Sequence, residues 1–293
     1  MKFEEVAQVT GVAGSAEGSY QAGMGVACGD YDHDGDMDLA VTNYYGESTT
    51  LYQNLGGLVF SDRTSVSGLA AASRLRLGFG IAFSDFNNDG LLDLFTANGH
   101  TDDMKDLPYR MPTQLLLGQT NGRWFDTSNT ISEPLSIPHL GRGLAVGDMD
   151  NDGFMDGILL PQNEPLVYFH NITKNKNHWL TVKLIGVKSN HDGVGCKVTL
   201  STRKGIQFSE QFGGGSYQSS SDRRIHFGFL EDVKPDLLEI RWPSGTLDRI
   251  NNPSYDSVIE IIEGSGKAIQ TRRVVQQSSE TSQVQSNHRG KDK

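Results

Sequence analysis

Short apolar runs, bounded by Gly, Asp and Asn, recur along the chain as far as residue 171. Runs of this length between turn-forming residues are typical of β-strands. A repeated pattern, G-x-G-[VIL]-A-x-[GS], predicts first strands over 23–29, 78–84 and 141–147. Second strands are predicted over 39–43, 94–98 and 157–161, and third strands over 51–54, 115–117 and 167–171. Fourth strands are predicted over 58–62 and 123–127, whereas the third unit lacks one.

The spacing of these units indicates a β-propeller. Successive units begin at Gly23, Gly78 and Gly141, and four-stranded antiparallel units at such intervals are compatible with propeller blades. A polar loop over 101–112 lengthens the second interval; loops of this length are often functional, although a plain insertion explains it equally well. Residues 2–10 are predicted to form the last strand of a preceding unit. We therefore predict an all-β fold, with a partial propeller of about three four-stranded blades over 1–173.

An acidic nine-residue frame, D-x-[DN]-x-D-G-x-x-D, lies between the first and second strands of every unit. Its copies are Asp30–Asp38, Asp85–Asp93 and Asp148–Asp156. Alternate oxygen-bearing side chains in a tight turn can converge on one hard cation, and Gly at the sixth position permits the bend. Three solvated acidic turns are the alternative. The recurrence of Asp at positions one, five and nine favours a metal site.

Calcium is the cation that this frame favours, because Ca²⁺ accepts six to eight oxygens in loose geometry while Mg²⁺ requires a near-octahedral shell. An EF-hand is excluded, since its bidentate acid at position twelve is replaced by Val41, Thr96 and Leu159. Zinc is not indicated, because the sequence has no Cys or paired His at ligand spacing. His33 lies inside the first frame, at an even position that is expected to point away from the ion.

The complete unit, G-x-G-x-A-x-x-D-x-[DN]-x-D-G-x-x-D, resembles the FG-GAP/VCBS repeat of integrin-α-like β-propellers. The integrin-style GAP tripeptide is absent, so the resemblance is to the bacterial-type VCBS form more than to integrins. In that family a Ca²⁺ ion occupies the loop between the first two strands of a blade. The resemblance implies up to three Ca²⁺ ions, with these ligands: Asp30, Asp32, Asp34 and Asp38; Asp85, Asn87, Asp89 and Asp93; Asp148, Asp150, Asp152 and Asp156.

A second, small β domain is predicted over 177–264, after a polar stretch at 173–177. Its strands are predicted over 178–184, 197–201, 224–227, 237–242 and 257–262. Five motifs in order, beginning with Asn177-His178-Trp179-Leu180 and ending with Arg241-Trp242-Pro243-Ser244-Gly245, are similar to the ASPIC/UnbV domain. That domain follows FG-GAP repeats in proteins related to cartilage acidic protein and in enediyne-cluster proteins. Residues 267–293 are rich in Gln, Ser and charge and are predicted to form a disordered tail.

No catalytic constellation stands out in this sequence. No nucleophile, base and orienting acid are spaced for catalysis among the reactive or aromatic candidates of the second domain, which are His178, Asp222, Arg223, Arg224, His226 and Trp242. The two cysteines, Cys28 and Cys196, are interpreted as small buried apolar residues, with a disulfide as the less favoured alternative. We therefore predict a protein that is not an enzyme.

Charge and hydropathy narrow the function further. The formal net charge is −10, and the three frames hold twelve aspartates, so three bound Ca²⁺ ions would bring the net charge to about −4. This acidity and the lack of a basic stripe argue against nucleic acid. The sequence contains no run of 18 apolar residues, so no membrane-spanning helix is predicted.

These observations together predict a calcium-binding module that binds a protein or carbohydrate ligand in adhesion, in an extracellular or periplasmic location. Residues 1–18 carry no signal-peptide pattern, and we expect the chain to be part of a longer propeller whose open edge favours self-association. The alternative is an enzyme or accessory protein in an enediyne-like biosynthetic or carbohydrate-processing pathway.

Overall fold

The computed structural model describes residues 2–128, 130–131 and 133–273, and β-strands dominate this part of the chain. The all-β prediction is confirmed. Within the described residues the helices are short: α1 (Ala7–Thr10), α2 (Leu69–Ser73) and α3 (Glu133–Ser136).

Three antiparallel meander sheets follow the predicted strand order. The first contains β1 (Val26–Gly29), β2 (Asp38–Val41), β3 (Thr50–Asn54) and β4 (Phe60–Asp62). The second contains β5 (Gly78–Ser84), β6 (Asp93–Asn98), β8 (Gln114–Gly118) and β9 (Trp124–Asp126). The third has three described strands: β11 (Gly141–Gly147), β12 (Asp156–Pro161) and β13 (Val167–Phe169). Between them, β7 (Met111–Pro112) pairs with β10 (Pro138–His139), at the end of the inserted 101–112 loop.

The G-x-G spacing at the start of each unit is explained by close packing of one first strand on the next. A Cβ at Gly25 would collide with the carbonyl of Phe79 in β5, and one at Gly80 would lie 2.5 Å from Leu144 Cβ in β11. The third copy is packed differently, since a Cβ at Gly143 would lie 3.0 Å from Ser219 Oγ. Gly is needed here because there is no space for a side chain, not because of backbone strain.

Two further sheets are formed by the C-terminal region and share one apolar core. One has the strand order β17 (Ile225–Phe229), β14 (His178–Ile185), β20 (Ser257–Ile262), β21 (Ala268–Arg273). The other has the order β16 (Gly205–Glu210), β15 (Lys197–Thr202), β18 (Pro235–Arg241), β19 (Leu247–Asn251). Leu180, Val198 and Ile240 belong to the core between them. Counted as blades, the five described sheets of three or four strands exceed the prediction of about three, because the C-terminal region contributes two sheets of similar size.

Three local predictions were wrong or incomplete. Residues 2–10 form no strand; the Glu5 carboxylate accepts a hydrogen bond from Ala7 N–H (2.7 Å) and starts the single turn of α1, which Gly11 ends at φ +86°. Strands β16 and β19 were not predicted. The disordered tail was placed too early, because β21 pairs with β20, and the remainder of that prediction, 274–293, lies outside the described residues.

Residues 216–222, which we call the serine segment, lie along the first strands of the three meander sheets, β1, β5 and β11. Ser216 N–H donates to the Val26 carbonyl (2.9 Å), and Ser216 Oγ accepts from Ile81 N–H (3.0 Å). Ser219 and Ser221 accept from Leu144 N–H and Val146 N–H, both at 3.1 Å. The serine segment therefore provides hydrogen-bond partners for backbone groups of the first strands that would otherwise be unpaired.

Candidate functional site

The three acidic frames form nearly identical turns between the first and second strands of their sheets, as predicted. We call them loop one (30–38), loop two (85–93) and loop three (148–156). The sixth residue has φ of +90° in Gly35, +89° in Gly90 and +94° in Gly153. The fourth residue is also left-handed in every loop, which explains Asn at this position in loops two and three. His33 occupies it in loop one, at φ +61°.

The aspartate at position one organises the backbone of its own loop. In loop one, Asp30 accepts hydrogen bonds from the N–H groups of Asp34 (3.0 Å) and Gly35 (3.1 Å). Asp85 and Asp148 do the same for positions five and six of loops two and three. These side chains are therefore part of the turn itself, in addition to being candidate ligands.

The aspartate at position nine connects the loop to the third strand of its sheet. Asp38 accepts from Tyr31 N–H (3.1 Å) and Asn54 N–H (2.7 Å), and it is fully buried. Asp93 accepts from Phe86 and Gly118, and Asp156 accepts from Met149 and Asn171. Position nine thus fixes the turn on the sheet.

The geometry of loops one and three fits a hard divalent cation. Oxygens of Asp30, Asp32 and Asp38 lie within 4.8 Å of one another, as do those of Asp148, Asp150 and Asp156. Two oxygens that each lie 2.3–2.6 Å from one Ca²⁺ ion are at most about 5 Å apart, so both sets match. Asp32 Oδ1 is buried without a hydrogen-bond partner in the described part of the chain, which is the state expected of a ligand atom.

Loop two has the same backbone but a less acidic ligand set, because Asn87 replaces the aspartate at position three. Asp85 and Asp93 are buried, at 5% and 0% exposure; burial, with a further contribution from the charge of Asp85, raises the pKa of Asp93. Asn87 Oδ1 accepts from Asp89 N–H (2.9 Å). Loop two brings its predicted ligands into one turn, and its occupancy by calcium stays a prediction, as do the ligand roles in the other loops.

Burial raises the pKa of the position-one aspartate in every loop and of Asp38 at position nine of loop one. The pKa of Asp30 and of Asp148 rises to about 6, and that of Asp38 and of Asp85 to about 7. Desolvation is the main cause, and neighbouring aspartates add to it. A bound cation would reverse this effect, because it stabilises the ionised carboxylates.

The calcium effect on stability is therefore expected to depend on pH. In the metal-free protein the folded pKa values exceed the unfolded value of about 3.9, so these groups favour folding below pH ~4 and lose that contribution as pH rises through about 6 to 7. With calcium they are ionised and paired at neutral pH. Melting curves of desalted protein, with and without Ca²⁺, should differ least at pH 5 and most at pH 8. A difference that is independent of pH would contradict this assignment.

Two polar residues that sequence reasoning missed lie beside position three. His170 Nε2 lies 3.1 Å from Asp150 Oδ2, and the His170 ring, Asp150 and Asp152 form a further group able to hold a metal. In loop one, Gln53 Nε2 donates to Asp32 Oδ2 (2.5 Å). His170 immediately precedes Asn171, and Gln53 immediately precedes Asn54. Each Asn ends the third-strand segment of its unit. A polar residue before this Asn was the signal in the sequence.

Loops two and three also hold the C-terminal sheets. The indole of Trp179 lies against Gly153, so closely that a Cβ there would collide with the ring. Arg224 donates to Asn151 Oδ1 (2.5 Å) and to the Asp148 carbonyl (2.7 Å). His226 Nε2 lies 2.8 Å from Asn88 Oδ1.

Hydrogen bonds from Asn171, Asn175 and Asn177 strengthen this junction. Asn171 Nδ2 donates to the carbonyls of Phe86 (2.8 Å) and Met155 (3.0 Å), so one side chain joins loop two to loop three. Asn175 and Asn177 both donate to the Asn87 carbonyl. The backbone of the candidate metal loops is therefore the surface on which the C-terminal sheets rest.

The candidate catalytic residues are held in structural contacts. Burial lowers the pKa of His226 to about 4, so its ring is neutral at physiological pH, between Thr181 Oγ1 and Asn88. Trp242 is buried in the C-terminal core and donates to Asp248 Oδ2 (2.7 Å). Cys28 and Cys196 are free thiols; Cys196 is buried in that core and Cys28 is partly exposed.

Family comparisons agree with the repeats and with the C-terminal sheets. Residues 30–96 and 85–158 match the FG-GAP-like repeat, so loop two is shared by two overlapping matches. Residues 186–268 match the family described as ASPIC and UnbV. The chain combines FG-GAP-like repeats with an ASPIC/UnbV domain. The predicted resemblance to both is confirmed.

This FG-GAP and ASPIC/UnbV chain is homologous to cartilage acidic protein 1. It is 29% identical to the protein from Xenopus tropicalis over 256 residues, which are 84% of this chain and 37% of that protein. It is 28% identical over 258 residues to the protein from Homo sapiens, with 83% and 36% of the two chains covered. The chain thus spans little more than a third of the length of these relatives. None of the described helices is long and apolar enough to cross a membrane.

Proposed function

We propose that this chain is a calcium-stabilised, non-catalytic interaction module that acts outside the cell and binds a protein or carbohydrate partner. An FG-GAP propeller with homology to cartilage acidic protein 1 fits a non-catalytic interaction module. The convergence of carboxylate oxygens in loops one and three is the observation that carries the calcium part of the proposal.

An extracellular setting follows from the chemistry of such sites. Open loops that use short side chains and backbone carbonyls bind Ca²⁺ weakly, so they fill where calcium is millimolar. The names of the relatives refer to cartilage, which supports the same setting for this chain by homology. The partner would contact surfaces that the cation keeps rigid.

Deletion of one ligand should remove one calcium site. Asp32→Ala removes a candidate ligand that makes no backbone hydrogen bond inside loop one, so calorimetric titration with Ca²⁺ should show one site fewer than the unchanged protein. Asp36→Ala is the matched control, because it removes the same charge from an exposed position of the same loop that is not a candidate ligand. Equal stoichiometry in both variants would exclude loop one as a site.

The interaction role can be tested with arrays of glycans and matrix proteins, probed in calcium and again after chelation. Binding in calcium that is lost on chelation is the expected result. Catalytic turnover of an arrayed or soluble sugar that survives purification and persists in a homogeneous preparation would replace the interaction role with the enzymatic alternative.

A further inference from the structure

An arginine beside aromatic residues lies at the end of the meander sheets that is opposite the acidic loops. Phe79 is near the start of β5, whereas loop two follows the end of that strand, so about 20 Å of extended chain separates the two. Arg142 is near the start of β11 in the same way. We call this surface the Arg142 patch, and it consists of Arg142, Phe79, Tyr109 and Tyr217.

The guanidinium group of Arg142 is held in one orientation. Nη1 donates to the carbonyls of Gly99 (3.1 Å) and Gly141 (2.8 Å), and Nη2 donates to the carbonyl of His100 (2.9 Å). Its Cζ atom lies 4.1 Å from the centre of the Phe79 ring, which is a cation–π contact. Because the planar group is fixed before a ligand arrives, its remaining donors can bind without a large cost of ordering.

Two N–H groups of this guanidinium remain unused. An arginine carries five N–H donors, and the three hydrogen bonds to carbonyls use both protons of Nη1 and one proton of Nη2. Nε and Nη2 lie on the edge of the group that can bind an oxyanion through two parallel hydrogen bonds. Within the described residues Nε makes no hydrogen bond, and it is not buried. Arg142 therefore presents a solvent-accessible fork to a ligand.

The charge of Arg142 is not neutralised by a carboxylate of the described residues. Glu164, at the same end of the sheets, is paired with His139 (2.9 Å). Glu47 accepts hydrogen bonds from backbone N–H groups. The aspartates of the 101–112 loop are exposed to solvent. An oxyanion would therefore meet a fixed and unpaired cation at this surface.

The hydroxyl groups of Tyr109 and Tyr217 lie beside this cation. Burial lowers the pKa of Arg142, and the two hydroxyl groups act against that shift, which indicates that both are close to the guanidinium. In the described part of the chain neither hydroxyl group has a hydrogen-bond partner, and neither is buried. The Tyr217 ring packs edge-on against Phe79, with centroids 5.0 Å apart, so its position is fixed. The patch thus combines a charged fork with two free hydroxyl groups.

We propose that the Arg142 patch binds an acidic sugar, whose oxyanion pairs with Nε and Nη2 of Arg142 and whose ring hydroxyls bond to Tyr109 and Tyr217. Hydroxyl groups flank the acid of a sugar ring and match the tyrosines, whereas methylene groups flank the acid of an acidic peptide. A uronate and a sugar sulfate share this chemistry. The inference rests on the interaction role proposed above, and it names the class of partner and the surface that binds it.

A matched series of methyl glycosides tests the proposal on the full chain in calcium. Methyl glucuronide, its carboxamide and methyl glucoside differ in one substituent, which is a carboxylate, a carboxamide or a hydroxymethyl group. Methyl glucoside 6-sulfate, as a further arm, distinguishes a sulfate from a carboxylate. In titrations followed by ligand-observed NMR, an acidic sugar should bind at least tenfold more tightly than the neutral sugars. Acidic sugars that bind no better than the neutral ones, or no better than N-acetylglutamate methylamide, overturn the proposal.

Arg142→Gln should remove the preference for acidic over neutral sugars. Arg249→Gln is the control, because Arg249 belongs to the C-terminal sheets and is paired with Glu239. A preference that persists in Arg142→Gln, or that is lost equally in Arg249→Gln, contradicts the proposal. Glycan binding on arrays that survives Arg142→Gln would overturn the assignment of this surface and leave the interaction role in place.

Tyr217→Phe provides a second test that leaves the backbone contacts of Arg142 unchanged. It removes one free hydroxyl group, so affinity for the acidic sugar should fall roughly threefold to tenfold. Tyr255→Phe, whose ring packs on the C-terminal core, is the control and should leave the affinity unchanged. The same affinity in Tyr217→Phe as in the unchanged protein contradicts the proposal. Both tyrosine variants should retain the calcium-dependent melting temperature, so that failure of the sugar site can be told apart from failure of the calcium sites.

Discussion

Removal of calcium is expected to lower the melting temperature of the protein by roughly 5–10 °C. A weakly bound ligand present at about ten times its dissociation constant stabilises the fold by about 1.4 kcal/mol per site, so three sites contribute about 4 kcal/mol. For a chain of this size one kcal/mol corresponds to roughly 2 °C. The physical origin is the burial of position-one and position-nine carboxylates, whose charges need a cation once they are ionised. Calorimetry in millimolar Ca²⁺ and after chelation measures the shift.

Magnesium should restore only part of the lost stability, because Mg²⁺ keeps its waters and demands an octahedral shell that these turns do not dictate. Strontium, a larger ion, is expected to restore more than magnesium does. A melting curve that is the same in calcium and in chelator would mean that the loops are stable as empty acidic turns.

Gly153→Ala is expected to be far more damaging than Gly35→Ala, although the two residues occupy the same loop position. Both require a left-handed backbone, which costs an alanine about 1–2 kcal/mol. Nothing lies within 4 Å of a Cβ at Gly35, whereas one at Gly153 collides with the indole of Trp179. Overpacking of that kind adds about 1–3 kcal/mol, so we expect about 2–5 kcal/mol for Gly153→Ala. Denaturant unfolding of both variants gives the comparison.

Displacement of the C-terminal sheets should accompany the loss of stability in Gly153→Ala. In a Trp124→Phe background the emission of Trp179 should shift to the red, while Trp242 remains buried in its own core. The exposed residues between 173 and 177 should be cleaved faster by a protease. Equal destabilisation by the two glycine substitutions, with unchanged emission, would show that the contact of Gly153 with Trp179 does not contribute to the stability of the fold.

The repeated part of the fold could be predicted from the sequence because each unit contains its own turn signals. The frame with Gly35, Gly90 and Gly153 fixed both the position of every loop and the strands on either side. Blade packing was not predictable in the same way. Gly143 meets Ser219 of the serine segment where Gly25 and Gly80 meet the next first strand, and no local pattern distinguishes Gly143 from Gly80.

The candidate site was predicted only in part, since its second half comes from distant residues. Asp30 and Asp38 are visible in the sequence as a spaced set, but Gln53 and His170 reach position three from another strand. The support of the C-terminal sheets by loops two and three depends on contacts such as that of Arg224 with Asn151, across more than seventy residues. Residues so far apart in the chain produce no repeating pattern in the sequence from which their contact could be predicted.

The two hydrogen bonds of Asn171 have a consequence for production of the protein. Asn171-Ile172-Thr173 is an N-glycosylation sequon, and a sugar on Nδ2 would take the place of a hydrogen that the folded chain donates to Phe86 or Met155. In a eukaryotic secretory host, oligosaccharide transfer and closure of the junction between loops two and three therefore compete for the same amide. Thr173→Val removes the sequon and leaves that amide in place.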